Sequence, residues 1–162
     1  MKLYFVRHGS ASRKTTWRED DDLRPLTRAG RARFRAAAES LVAAGVLDPE
    51  RILTSPLVRA TQTADILSKV LGGAASVETE PRLGHLFSLA DLRVLLASRP
   101  GVRSLAIVGH NPSMCEVLSA ITGGCDVDLR KGAVALVEIT DVRMPAGRLM
   151  WLAPPTIISA CD

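Results

Sequence analysis

Apolar runs of strand length alternate with segments of helical spacing along this chain, and that alternation restricts the fold more than any single motif does. Strands interleaved with helices pair in parallel and need cover on both faces, so the expected fold is a three-layer α/β/α arrangement around a mainly parallel sheet. Residues 2–7 supply the first strand. A helix is predicted over residues 27–44, with Phe34, Ala38, Leu41 and Val42 at helical spacing and Gly45 as its stop. After a short strand over residues 51–54, Ser55 is the expected N-cap and Pro56 the first-turn residue of a helix ending at Gly72-Gly73. A short strand near residues 76–78, a helix over 89–97 capped by Ser88, a buried strand over 104–108 and a helix over 112–121 follow. The last two strands, 133–139 and 148–152, flank a turn at Pro145-Ala146-Gly147 and are expected to pair as an antiparallel hairpin at one edge. The longest connection, residues 10–26, is rich in charge, and loops of that length in compact domains are often functional.

The 162 residues fit a single domain, 1–162, and 47% apolar residues suffice for a sizeable core. A net charge of +4 favours anionic partners without indicating nucleic acid. Arg28, Arg31 and Arg35 share roughly one helix face, but without interleaved aromatics they read as a solvated surface. Cys115, Cys125 and Cys161 are odd in number and lack C-x-x-C spacing, which argues against a disulfide framework or thiolate metal site and for a reducing cytoplasm. No apolar run is long enough for a membrane span, and the N-terminal one is too short for a signal-peptide core.

Three segments carry chemistry. Arg7-His8-Gly9 directly follows Leu3-Tyr4-Phe5-Val6, which puts a histidine and a fixed positive charge where a buried strand surfaces. In doubly wound proteins ligands bind beyond the carboxyl ends of the strands, and Gly9, without a Cβ, permits close approach. Taken alone the tripeptide reads as an ordinary strand-to-loop exit with chance polar residues. Arg59 falls in the first turns of a helix after the second strand, where free N–H groups and a guanidinium fork both suit phosphate. Taken alone it reads as well as a surface arginine paired with Asp65 or with water. Val108-Gly109-His110-Asn111-Pro112 repeats the pattern of strand, glycine and histidine at a helix entrance. Two of the three histidines thus lie at strand ends that open onto one edge of a parallel sheet, and the convergence favours an anion site.

Together these segments resemble the histidine phosphatase superfamily, the phosphoglycerate mutase-like branch 1. Its R-H-G is residues 7–9, its S-P-x-x-R-A-x-Q-T element residues 55–63, its R-P-L-T-x-x-G element residues 24–30, and its late histidine His110 within V-G-H-N-P. The short length and the lack of room for a large cap insertion look most like the SixA-type phosphohistidine phosphatases. The resemblance implies a covalent phosphohistidine intermediate on His8 as nucleophile, with Arg7, Arg59 and His110 holding the phosphoryl group and Gly9 and Asn111 beside them in the phosphate site. It implies neither metal nor other cofactor. Two nearby arginines should keep His8 neutral by like-charge repulsion, while His110 is most useful as a donor or cation.

Many members supply a leaving-group proton from an acid in a stretch beginning L-x-E. Here the comparable residues read Glu80-Pro81-Arg82-Leu83-Gly84-His85, which leaves His85 and Glu80 as candidate donors. A phosphoramidate leaves on a nitrogen that itself accepts a proton, so a weak or absent acid favours phosphohistidine over alkyl phosphates. The expected partner is a phosphorylated protein carrying phosphohistidine, or else a small phosphate ester, acted on by a cytoplasmic monomer that binds neither nucleic acid nor membrane. Two other classes remain open at this point: a phosphate-binding module without turnover, and a metallohydrolase using His8, His110 and acidic loop residues. The close arginines argue against a cation there, and no H-x-x-x-H or cysteine cluster supports one.

Overall fold

The structure is a computed structural model, and it describes residues 1–155; Cys161 lies outside the described residues. Six strands form one sheet in the order β3-β2-β4-β1-β5-β6, where β1 is Lys2–Arg7, β2 Arg51–Thr54, β3 Ser76–Thr79, β4 Ser104–Gly109, β5 Val134–Asp141 and β6 Ala146–Ala153. The pairs β1·β4, β2·β4 and β2·β3 are parallel, whereas β5 runs antiparallel to both β1 and β6. The expected edge hairpin is therefore present. Its turn lies one step earlier than the sequence suggested: β6 already begins at Ala146, and Gly147 sits inside the strand opposite Ile139.

Helices α1 (Arg28–Ala43), α2 (Val58–Val70), α3 (Leu89–Ala97) and α4 (Ser113–Ile121) cover the sheet. Side chains alternate across a strand, so β1 sends Leu3 and Phe5 into a core with Leu92, Leu95, Val117 and Leu118 of α3 and α4. Tyr4 and Val6 enter a second core with Phe34 and Ala38 of α1 and Ala60, Ala64 and Leu67 of α2. Three layers result, with no inserted cap among the described residues.

Local chemistry sets the helix ends. Thr27 caps α1, its hydroxyl accepting from the Gly30 N–H at 2.9 Å, and Ser88 with Asp91 makes a reciprocal capping box on α3. Gly30 meets a steric need as well: a Cβ there would stand 2.1 Å from the Ser10 carbonyl oxygen. The first turn of α1 can thus lie directly against the loop leaving β1. Ser55 is not the cap of α2; the helix starts at Val58 with Leu57 in the cap position and no side-chain cap bond.

Candidate active site

Parallel register brings the predicted segments together. β4 lies between β1 and β2, with Arg7 opposite Gly109 and Thr54 opposite Val108, so His8, Ser55 and His110 leave adjacent strands at one level. Backbone bonds continue the ladder past the strand ends: His8 N–H donates to the Gly109 carbonyl at 3.1 Å and Ser55 N–H to the Val108 carbonyl at 3.0 Å. The His8 and His110 ring centroids are 5.1 Å apart, and both residues are buried.

His8 Nδ1 lies 2.7 Å from the Gly9 carbonyl oxygen. A carbonyl only accepts, so Nδ1 carries the proton and Nε2 keeps a free lone pair in the neutral ring. Burial lowers the His8 pKa to about 3, opposed by the Gly9 hydrogen bond and assisted by the charges of Arg59, Arg7 and Lys131. Neutrality was expected from the arginines alone; desolvation is the larger cause. His110 falls to about 2, again through burial first and then His8, Arg59 and His85, with Asp21 acting in the opposite sense. Its Nε2 is 2.8 Å from Ser55 Oγ, while its Nδ1 is buried without a partner.

Each arginine is anchored by a backbone carbonyl. Arg7 Nη1 donates to Leu129 at 3.0 Å and Arg59 Nη1 to Asp21 at 2.7 Å; the Nε of each is buried with no hydrogen-bond partner. Arg59, 3% exposed, also pairs through Nη2 with Asp21 Oδ2 at 3.1 Å. Its acidic partner is thus Asp21 of the 10–26 connection, not Asp65 of its own helix. Burial lowers the pKa of both guanidiniums without threatening their charge at ordinary pH. Unpaired buried polar atoms are uncommon in native proteins, and three of them, Arg7 Nε, Arg59 Nε and His110 Nδ1, belong to this one cluster.

The structure corrects three of the site assignments. Gly9 does not offer its N–H to a ligand, because that group donates to Thr63 Oγ1 at 3.1 Å; the space of its missing Cβ faces Gly30, Leu26 and Phe34 rather than the pocket. Asn111 directs one N–H of its amide to the Leu129 carbonyl at 3.0 Å, which ties it to the same backbone group that anchors Arg7, and its buried, unpaired Oδ1 is an acceptor that phosphate oxygens would repel. Glu80 is buried as the N-cap of the 3-10 turn Pro81–Leu83, with its carboxylate on Arg82 at 3.0 Å and Arg99 at 3.6 Å, so neither ion-pair partner belongs to the pocket. His85 is brought to the site. Its ring centroid is 5.3 Å from that of His110, it is 53% exposed, and its Nε2 lies 3.2 Å from Asp22 Oδ1.

Several residues were missed. Asp21 belongs to the charge-rich 10–26 connection, where no single residue was singled out, although an acidic run beside a basic site was the available signal. Thr63 ties the site to α2 by accepting from Gly9 and donating to the Arg59 carbonyl at 2.7 Å. Gly132 N–H reaches the carbonyls of both Arg7 and His8, a backbone role that no side-chain pattern announces. The donor atoms of Asp21, Asp22 and His85 lie within 4.8 Å of one another, but the Asp21 carboxylate is already committed to Arg24 and Arg59.

A family model described as the histidine phosphatase superfamily (branch 1) matches residues 3–86, a span that includes Arg7, His8 and Arg59. The chain belongs to this superfamily. An uncharacterised protein of Picosynechococcus sp. is 36% identical over 159 residues, covering 87% of this histidine phosphatase and 92% of the relative. The phosphohistidine phosphatase SixA of Escherichia coli is 29% identical over 126 residues, 76% of each chain. A solved structure of the protein histidine phosphatase SixA complexed with tungstate matches with a TM-score of 0.83 and 27% identity, covering 98% of this chain and 99% of that one. Family membership and these SixA likenesses support phosphatase activity. No helix among the described residues is long and apolar enough to cross a membrane.

Proposed function

We propose that this phosphatase removes the phosphoryl group from a phosphohistidine on a protein, by way of a covalent phosphohistidine on its own His8. The observation that carries the reading is the His8 ring: Nδ1 is tied to a carbonyl, so the Nε2 lone pair is fixed beside two anchored guanidiniums. In the first step Nε2 attacks phosphorus in line, the bond from phosphorus to the leaving nitrogen breaks, and that nitrogen keeps the electron pair and takes a proton from solvent. In the second, water attacks phosphorus and gives a proton back to solvent, the bond to Nε2 breaks with its electron pair returning to the ring, and inorganic phosphate and neutral His8 are released. Splitting one displacement into two is the ordinary gain of covalent catalysis.

The non-bridging oxygens are held by Arg7, Arg59 and His110. Ser55 Oγ already accepts from the Leu57 N–H at 3.3 Å, and giving its own proton to His110 Nε2 leaves an Nδ1–H donor on His110. Such fixed donors act on charge that develops in the transition state and need little rearrangement. The guanidiniums supply the positive charge that a metal provides elsewhere, so the reaction is assigned no metal or other cofactor. The lack of an inserted cap among the described residues suits a substrate presented on a protein surface. The enzyme is read as a monomer of the reducing cytoplasm, without nucleic-acid or membrane partners, where Cys115 and Cys125 stay free thiols.

One observation favours a second reading, hydrolysis of small phosphate esters. His85 and Asp22 form a carboxylate–imidazole pair next to His110, the kind of proton donor that an alkoxide leaving group needs and a phosphohistidine does not. A panel of one phosphohistidine protein, p-nitrophenyl phosphate, sugar phosphates and nucleoside monophosphates decides between them, with His8→Ala as control. Preference for the phosphoprotein is expected. Faster turnover of an alkyl ester would replace it with the second reading, and phosphate binding without turnover of anything would reduce the protein to a binding module.

A further inference from the structure

The connection of residues 10–26 is closed at its base and reaches into the site at its tip. Ala11 and Leu26 form an isolated bridge, Ser12 N–H donates to the Pro25 carbonyl at 3.0 Å, and Arg24 Nη1 donates to the Ser12 carbonyl at 2.8 Å. The tip is the 3-10 turn Asp21–Leu23, capped by the Asp20 carboxylate. From that turn Asp21 holds Arg59 twice, through its backbone carbonyl on Nη1 and through Oδ2 on Nη2. Its other oxygen, Oδ1, accepts from Arg24 Nε at 2.9 Å. One carboxylate therefore bridges an arginine of the loop base and an arginine of the active site.

A guanidinium has five N–H donors in a fixed plane. The Asp21 backbone carbonyl takes one from Nη1, the Asp21 carboxylate forms an ion pair with Nη2, and the Nε–H remains buried without a partner. We propose that Asp21 is a positioning residue for phosphoryl transfer: by occupying the far end of the Arg59 guanidinium it fixes the plane in which the Nε side meets the phosphoryl oxygens. The proposal rests on the reading of this pocket as a phosphoryl-transfer site. Charge alone gives the opposite expectation, since an aspartate beside Arg59 repels a bound dianion and its removal should tighten phosphate binding. Positioning requires its removal to weaken binding. The two effects differ in sign, and that makes them separable. The pull of Arg24, followed by Arg59, holds the Asp21 carboxyl below its ordinary range, so it remains an anion wherever the enzyme is assayed near neutrality.

The test uses Asp21→Ala and Asp21→Asn in the wild-type and Arg59→Ala backgrounds, with inorganic phosphate binding measured by calorimetry and turnover of p-nitrophenyl phosphate measured alongside. In the wild-type background Asp21→Ala should weaken phosphate binding about 10-fold and lower kcat by about 10- to 100-fold, more than it changes KM, as small misplacements of a positioned group do. In the Arg59→Ala background the same change should leave phosphate binding within about twofold, because residues acting through one partner are not additive. Asp21→Glu should restore part of kcat. Asp21→Asn keeps the size and one acceptor, and carries the binding comparison if Asp21→Ala fails to fold. Unchanged or tighter phosphate binding in the single variants, or an equal loss in both backgrounds, overturns the proposal. Wild-type protein that neither binds phosphate nor turns over the ester overturns the reading of the site itself.

Discussion

Stability between pH 7.5 and pH 5 offers a test of how the two site histidines are buried. Both are held as neutral rings, at about 3 for His8 and about 2 for His110, chiefly by desolvation. Unfolding returns each to water, where histidine titrates near 6.5. The unfolded chain then takes up protons as the pH falls below about 6.5 while the folded chain takes up none until far lower, so stability is lost with acid. At pH 5 the unfolded form gains RT ln(1 + 10^1.5), about 2 kcal/mol per histidine and about 4 kcal/mol for the pair, relative to pH 7.5. That figure hardly depends on how far below 5 the folded values lie. The lowered carboxylates Asp21, Asp48 and Glu50 give up their stabilisation mainly in a more acid range, which keeps the window separate. Urea unfolding at the two pH values should show a loss of about 4 kcal/mol in the wild type, roughly halved in His110→Asn and nearly absent in His8→Asn/His110→Asn. Equal losses in the wild type and the double variant would refute the account of buried neutral histidines.

Three further outcomes are expected. His85→Ala should leave phosphohistidine turnover nearly intact while slowing alkyl phosphate hydrolysis by about 10²- to 10⁴-fold, and equal effects on both substrates in steady-state assays would remove the proton-donor role. Gly30→Ala should destabilise the fold by about 1 to 3 kcal/mol and lower turnover, since its Cβ would meet the Ser10 carbonyl oxygen at 2.1 Å and push the loop after His8 off α1; a thermal melt matching the wild type would contradict this. Activity should survive prolonged chelation, because positive charge at the phosphate comes from Arg7 and Arg59; loss in chelator with recovery on adding a divalent cation would favour a metal-dependent reaction instead.

Much of the pocket was legible because its residues sit at punctuated strand ends. Apolar runs closed by Gly9, Ser55-Pro56 and Gly109 mark where β1, β2 and β4 surface, and parallel pairing brings such ends together without further information. What escaped lies in pairings with no local period. Asp21 meets Arg59 across 38 residues, and Leu129 and Gly132 act through backbone groups that carry no side-chain signature. Ser55 shows how one residue type supports two readings: a serine before a proline and a helical run looks like a cap, but here its hydroxyl is bonded to His110. Gly9 and Asn111 were placed by neighbourhood to the motif histidines, and only the hydrogen bonds reveal that their donors serve Thr63 and Leu129. The sequence also weighed charge above burial at His8, since desolvation is a property of packing that a motif does not display.

The central claim is that His8 Nε2 becomes covalently phosphorylated. Brief incubation with a radiolabelled phosphohistidine protein, followed by an alkaline quench and peptide mapping, reads it directly. The account predicts an acid-labile, alkali-stable phosphate on His8 that is absent, together with turnover, in His8→Ala. Turnover that persists in His8→Ala, or label recovered on a residue other than His8, would contradict it.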